Sequence, residues 1–421
     1  MRIPASLILC LFAGLAAAAP PGPVLTLERA ETRSLQNHPS LDELRERIRA
    51  AEERAVAEGE LDDPRLSAGF SNVPVDTFDL DQEPMTQVQV GLHQDFPPPG
   101  TLGLRERQER QKGEAYRWRR ADTRAELVRR VRKAWLERFY LDRALAVVAE
   151  NLELFEELLS IARSQYRVGE GLQQEVLLAQ LERDKLLDKQ TDLERQRAAA
   201  DSRLAKLLTG REYRFRLPEA LPELPDPPAR DALGDTLPEH PKVRAMDARI
   251  RGQRTGADLA RKAALPKMGV DLTYGHRPGS ASDGEAWADF VTARFRVSLP
   301  LFTADRQDRE LAAALAERDA LEHKRRNMLL DLRSAARSQR AALEASKRRV
   351  ELYEDTIIPE SAQTVEASVA AYTTGRLGFL DLVRSRIEDF EHQLDKWRLR
   401  VDVEQAKADL LYLAADGEGE R

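Results

Sequence analysis

The 421-residue chain states its plan twice. Asn37-His38-Pro39-Ser40-Leu41 returns as Glu239-His240-Pro241-Lys242-Val243, at an offset of 202. Phe96-Pro97, closing an alternating run, returns as Leu299-Pro300 at an offset of 203. Tyr166 and Gly169, three apart, return as Tyr372 and Gly375 at 206, and each glycine is followed six positions on by an acid, Glu175 or Asp381. Landmarks at so steady a spacing mark an internal duplication, and a duplicated chain must fold as two like units sharing one architecture. The halves meet in residues 211–238, where six prolines predict a linker rather than a helix.

Each half reads in one order: short helix, two strands, very long helix, glycine turn, second long helix. Leu127, Val131, Ala134, Arg138, Leu141, Leu145, Val148, Leu152, Phe155, Leu159 and Ala162 step by four and three, with Arg138 the sole polar member. Leu380, Val383, Ile387, Phe390, Leu394, Trp397, Val401, Glu404, Ala408 and Leu411 do the same. A sustained 3.5-residue period predicts helices packed along their length. The first long helix, about 102–165, lacks proline and would be on the order of 95 Å long. Its counterpart, about 305–371, should kink or break at Pro359. Second helices are expected over about 173–208 and 379–414. Rods of this length build a tube; they do not wrap a compact catalytic core.

Four runs of period two are predicted as strands, at about 65–73, 86–96, 267–275 and 289–299. Their apolar members include Val88, Val90, Leu92, Val270, Leu272, Val291, Phe295 and Val297, and the residues between are polar or small. Eight to eleven residues is the length a tilted strand needs to cross a bilayer. A half-buried soluble sheet alternates in the same way. Strand arithmetic favours the membrane: four strands leave two open edges, each unpaired polar group in hydrocarbon costs several kcal/mol, and so copies of the chain must pool strands.

Composition removes other classes. A charged fraction of 33% and mean hydropathy of −0.53 exclude a multi-span helical membrane protein. The formal charge of −6 gives no basic excess for nucleic acid. The basic run from Arg105 to Lys133, with twelve Arg and Lys, is interleaved with acids and reads as a solvated helix face. One cysteine, Cys10, excludes a disulfide framework and cysteine-based metal sites, and the six histidines do not cluster. Phosphate-loop, nucleophile-elbow and metalloprotease motifs are absent, so neither catalysis nor a cofactor or metal is expected. Residues 1–19, with Arg2, an apolar core and Ala16 to Ala19, read as an export signal, and Cys10 lacks the setting of a lipid anchor.

The ordered set of landmarks, with Ile357-Ile358-Pro359 before the second turn, resembles the TolC-like outer-membrane factor family across nearly the whole mature chain. The resemblance implies a mainly α fold with a membrane β component: a duplicated short helix, β-hairpin and coiled-coil hairpin. Three copies would form a 12-stranded barrel continuous with an α-helical barrel. It divides the chain into a signal peptide (1–19), a first repeat (20–210), an equatorial linker (211–237), a second repeat (238–416) and a tail (417–421). It implies an efflux channel in the outer membrane of a Gram-negative bacterium, as a homotrimer embedded in lipid. Its partners would be a periplasmic adaptor and an inner-membrane pump, without nucleic acid.

By the same resemblance Val168, Gly169, Gly171, Leu172, Thr374, Gly375, Leu377 and Gly378 form an adaptor-docking tip. Asp381 would gate the pore with Arg384, where some members carry a second aspartate, and Glu175 takes the equivalent place in the first half. Ser71-Asn-Val-Pro-Val75 and Asp81-Gln-Glu-Pro-Met85-Thr-Gln-Val88 are most similar to the heavy-metal efflux branch, implying a resistance–nodulation–division pump and heavy-metal cations as cargo. The rival is a periplasmic coiled-coil adaptor or scaffold without a barrel. An adaptor would carry one helical hairpin, whereas this chain carries two, each with its own strand pair.

Overall fold

A computed structural model describes residues 23–208 and 215–415. The export signal at 1–19, the start of the linker and the tail lie outside the described residues.

The expected first short helix is two helices, α1 (Leu27–Leu35) and α2 (Pro39–Gly59). Asn37, at φ 53°, turns the chain between them, a left-handed conformation that asparagine tolerates. The His-Pro landmarks are helix starts. His38 is the N-cap of α2, where its Nδ1 accepts from the Ser40 amide, and Pro39 sits at N1, where no amide is needed. His240 and Pro241 open α6 (Pro241–Lys262) in the same way.

Strands β1 (Arg65–Ser71), β2 (Gln87–Phe96), β3 (Met268–His276) and β4 (Phe290–Val297) form one antiparallel sheet in chain order. The duplication is thus joined at β2–β3, where Leu92 faces Leu272 and Val90 faces Tyr274.

Below the sheet run α3 (Thr101–Val168), α4 (Gln173–Leu207), α7 (Gln307–Leu352), α8 (Ile358–Thr373) and α9 (Phe379–Leu413). The 68 residues of α3 span about 100 Å. Along the predicted seam Leu127, Val131, Leu141, Val148, Phe155, Leu159 and Ala162 are buried. Arg138, the polar member, is buried because it bonds Asp201 of α4 at 2.5 Å and pairs with Asp142. The helix expected over 305–371 is broken: a π turn at Tyr353–Ile357 separates α7 from α8. Pro359 explains it, since proline has no N–H for the carbonyl of Asp355 and its ring crowds that carbonyl.

The linker needs a correction. Within the stretch predicted as non-helical lie α5 (Arg230–Thr236) and a 3-10 turn at Leu237–Glu239. Five of the six prolines fall before Arg230, and Pro238 sits in the first positions of the 3-10 turn, where its missing amide costs nothing. The linker is also fastened. The Leu224 amide donates to the buried Glu404 of α9 at 2.7 Å, and Lys407 donates to the Leu224 carbonyl at 3.3 Å. Glu404 belongs to the predicted heptad series, and this contact is why an acid is tolerated there.

Candidate functional site

The two-residue period of the strands becomes a surface once register is fixed. Leu66, Leu92, Leu272 and Ala293 form one row across the sheet. Ala68, Val90, Tyr274 and Val291 form the next, and Phe96, Met268 and Val297 another. Val88 pairs with Phe70, and Val270 with Phe295. All eight residues predicted to face lipid therefore share one face, which is mainly apolar; Gln94, paired with Val270, and His276, paired with Val88, are polar members of it. Val88 and Val270 are half-buried, and the other six are exposed.

The opposite face is polar and organised, which residue-by-residue reading missed. His93 bridges two carboxylates, with Nε2 at 3.0 Å from Asp95 and Nδ1 at 3.0 Å from Asp271. Arg296 reaches Asp271 at 3.2 Å, and Arg65 reaches Asp95 at 3.5 Å. The signal was present in the polar members of the alternation, but only register makes them neighbours.

At the far end of the long helices both glycine turns are Schellman caps. The Glu170 amide donates to the Gln165 carbonyl at 3.0 Å and the Gly169 amide to Tyr166 at 3.2 Å, with Gly169 at φ 80°. Arg376 donates to Ala371 at 2.9 Å and Gly375 to Tyr372 at 3.0 Å, with Gly375 at φ 70°. The Tyr-to-Gly spacing is therefore a helix-stop device used twice. Tyr372 also joins the two turns, since its hydroxyl donates to Gln165 Oε1 at 2.7 Å.

The predicted tip residues gather at these turns. Val168, Gly169, Leu172, Thr374, Gly375 and Gly378 are exposed, and Gly171 is half-buried. Leu377 is also half-buried, packed on the core of the lower hairpins, so the tip presents Leu172 far more openly than Leu377. The predicted gate residues separate. Asp381, in the first turn of α9, lies 3.6 Å from Arg384, and both side chains are more than half exposed. Glu175 is turned toward its own helix, where Oε2 accepts the Leu172 amide at 3.1 Å. Among the described residues no group of three or more His, Cys, Asp or Glu is placed to hold a metal ion, and no helix is long and apolar enough to cross a membrane.

Near the equator His240 is fully buried, and its Nε2 donates to the Tyr412 carbonyl at 3.1 Å. Burial pushes its imidazole below the ordinary range, against the opposing pull of Asp122. His38 is lowered too, again by burial first.

Residues 32–210 and 232–415 match the family described as outer membrane efflux protein. No curated protein matches the chain. A solved membrane protein from Pseudomonas aeruginosa is 18% identical and superposes at a TM-score of 0.81, covering 94% of this chain and 91% of its own. The MtrE outer membrane channel of Neisseria gonorrhoeae, in its open state, is 17% identical at a TM-score of 0.77, covering 93% and 89%. VceC, an outer membrane protein of Vibrio cholerae, is 16% identical at 0.75, covering 92% and 96%. At these identities the likeness is one of fold.

Proposed function

The chain belongs to the outer membrane efflux protein family, a family of channels rather than enzymes, and from that premise we propose that it is the passive exit duct of a tripartite efflux system. Three copies would pool their sheets into a twelve-stranded barrel, with the helical hairpins continuing it as a periplasmic tunnel. One observation carries this reading: a four-stranded sheet with one mainly apolar face, open at both edges. Exposure rises toward those edges. Leu66 and Phe70 on β1 are 75% and 67% exposed and Phe295 on β4 is 78%, against 48% and 52% for Leu92 and Leu272 on the inner strands. In lipid such edges must be paired, and pairing β1 of one copy with β4 of the next closes the cylinder.

The hairpin turns would meet the periplasmic adaptor, through Val168, Gly169, Gly171 and Leu172 on one side and Thr374, Gly375, Leu377 and Gly378 on the other. Asp381 and Arg384 would stand at the narrowing just above. The pump supplies the energy. The similarity of residues 71–75 and 81–88 to the heavy-metal branch supports a resistance–nodulation–division pump; it does not by itself fix a metal cargo.

Fractionation tests the reading. The protein should stay with outer membranes through a carbonate wash and run as a trimer in mild detergent. Recovery as a soluble periplasmic monomer would restore the adaptor alternative.

A further inference from the structure

We propose that the upper tunnel carries a basic belt that selects anionic cargo, with Arg119, Lys242 and Arg249 as its principal members. The proposal rests on the duct reading and deepens it by naming a cargo class.

A groove of about 630 Å³ is bounded by α2, α3, α6 and α7, the helices between sheet and equator. Five cations line it: Arg47, Lys112, Arg119, Lys242 and Arg249. Two are answered, Arg47 by Glu43 at 2.7 Å and Lys112 by Glu109 at 3.3 Å. Arg119, Lys242 and Arg249 are exposed and have no carboxylate partner among the described residues. The acids on the groove are Glu109, held by Lys112, and Asp122, which accepts the Tyr412 hydroxyl at 2.9 Å. With Glu43 counted beside Arg47, five positive charges against three negative leave an excess of two per chain.

The direction the groove faces follows from what covers the opposite side. Arg119 and Trp135 are sixteen residues apart, about four and a half turns, so they point roughly opposite ways from α3. Trp135 Nε1 donates to the Leu25 carbonyl at 3.0 Å, and Arg132 binds Glu31 of α1 at 2.7 Å. On α9, Glu404 and Lys407 hold the linker at Leu224. The leading segment and the linker thus sheathe one side of the helical layer. When the layer closes into a tube, a second layer fits only on the wider outer circumference. The unsheathed groove therefore opens on the bore.

The basic run of α3 finds its place here. Arg105, Lys112, Arg119, Glu126 and Lys133 fall on one seven-residue stripe. Glu58 answers Arg105 at 3.9 Å, Glu109 answers Lys112, Asp409 answers Lys133 at 2.8 Å, and Arg129 and Arg130 hold Glu126. That leaves Arg119 as the cation of the stripe without a carboxylate partner among the described residues. Three copies would set nine cations without carboxylate partners, Arg119, Lys242 and Arg249 from each, around one level between low-dielectric walls, which focuses the field and concentrates counter-ions. The effect reaches about 10 Å at 0.1 M salt.

Reversal potentials of purified trimers in planar bilayers, across a KCl gradient at low ionic strength, test it. The unaltered pore should prefer chloride. The triple variant R119Q/K242Q/R249Q should lose that preference on the order of several-fold, and R119E/K242E/R249E should invert it. Trimers on a native gel exclude misassembly, and the neutral set stands alone if the acidic set fails to assemble. A pore that conducts with the same reversal potential in all three forms overturns the belt and leaves the duct intact. A protein that forms no conducting pore overturns both.

Discussion

In the first repeat α3 runs 68 residues without a break and buries side chains from Thr101 to Ala162, whereas in the second the matching stretch is cut by a π turn and α7 buries only Leu332, Ala336 and Leu343. α3 is packed within its own chain by α2 and α6 above, and by α4 and α9 below. α7 touches α6 and α9, and α5, the 3-10 turn and the linker at Asp226 and Pro228 pack on it as well, but most of its side chains stay exposed or half-exposed. A helix of this length with so little buried does not owe its stability to its own chain. The contrast makes α3 the spine of the subunit, and in the trimer proposed above α7 would be a surface for the next copy. The sheet shows the same division, with pairing satisfied at β2 and β3 and open at the outer edges of β1 and β4.

The sharpest way to break this comparison is to damage both repeats on the face they share. Leu92→Arg on β2 and Phe295→Arg on β4 should each cost about 2–4 kcal/mol per site if the face meets lipid. Both should abolish trimers on a native gel. Loss of assembly for one variant only would mean that the two repeats do not contribute alike to the barrel.

Next in size come the caps that open α2 and α6. His240→Ala removes both a cap and the donor to a buried carbonyl, for about 2–3 kcal/mol by thermal denaturation, while His38→Ala, at a more open site, should cost about 1 kcal/mol. Acid separates them as well. Burial holds the folded His240 imidazole below its ordinary value, so below about pH 6.5 the unfolded chain binds the proton first. Stability contributed by His240 is therefore complete above that pH and is lost as pH falls toward the lowered folded value. The pH dependence of stability between pH 5 and 7 should flatten in His240→Ala.

The glycine turns should behave alike. Gly169→Ala and Gly375→Ala each put a Cβ into open space, so only left-handed strain is charged, about 1–2 kcal/mol. The measurement is loss of amide protection confined to the turn. Unequal losses would show that the Tyr372–Gln165 contact supports one cap more than the other.

How far these regions were legible in the sequence depended on whether the information was periodic. The heptad series around Leu141 and the alternation through Val90 and Phe295 give helix, strand and face directly, because each needs only a repeat of fixed step. The four-stranded order and the adjacency of His93 with Asp271 needed register, which no local pattern supplies. Helix α5 was hidden because prolines counted across the whole linker outweighed the seven residues free of them. The Asn37 break was hidden for the opposite reason, since a single left-handed residue between two helices leaves no periodic trace. At the tip the residue types were readable, but the half-burial of Leu377 against the open Leu172 depends on packing between hairpins.

The smallest expected effect on stability concerns the two acids that the duplication makes equivalent. Glu175 spends its carboxylate on the Leu172 amide, so Glu175→Ala should weaken the start of α4 by about 1 kcal/mol and leave conductance alone. Asp381 stays on the surface beside Arg384 at 3.6 Å, too far and too exposed for more than about 0–1 kcal/mol. Its consequence is electrical. In the proposed trimer each Asp381 would be offset by an arginine one turn away, so a ring at the tip would be near neutral, and Arg384→Ala would uncover three carboxylates. Single-channel recordings of Arg384→Ala should then show a rise in cation preference that Asp381→Asn, combined with it, cancels. Because Arg384 and the basic groove lie at opposite ends of the long helices, the two shifts should add; a smaller combined shift would mean that one constriction alone sets the selectivity of the pore.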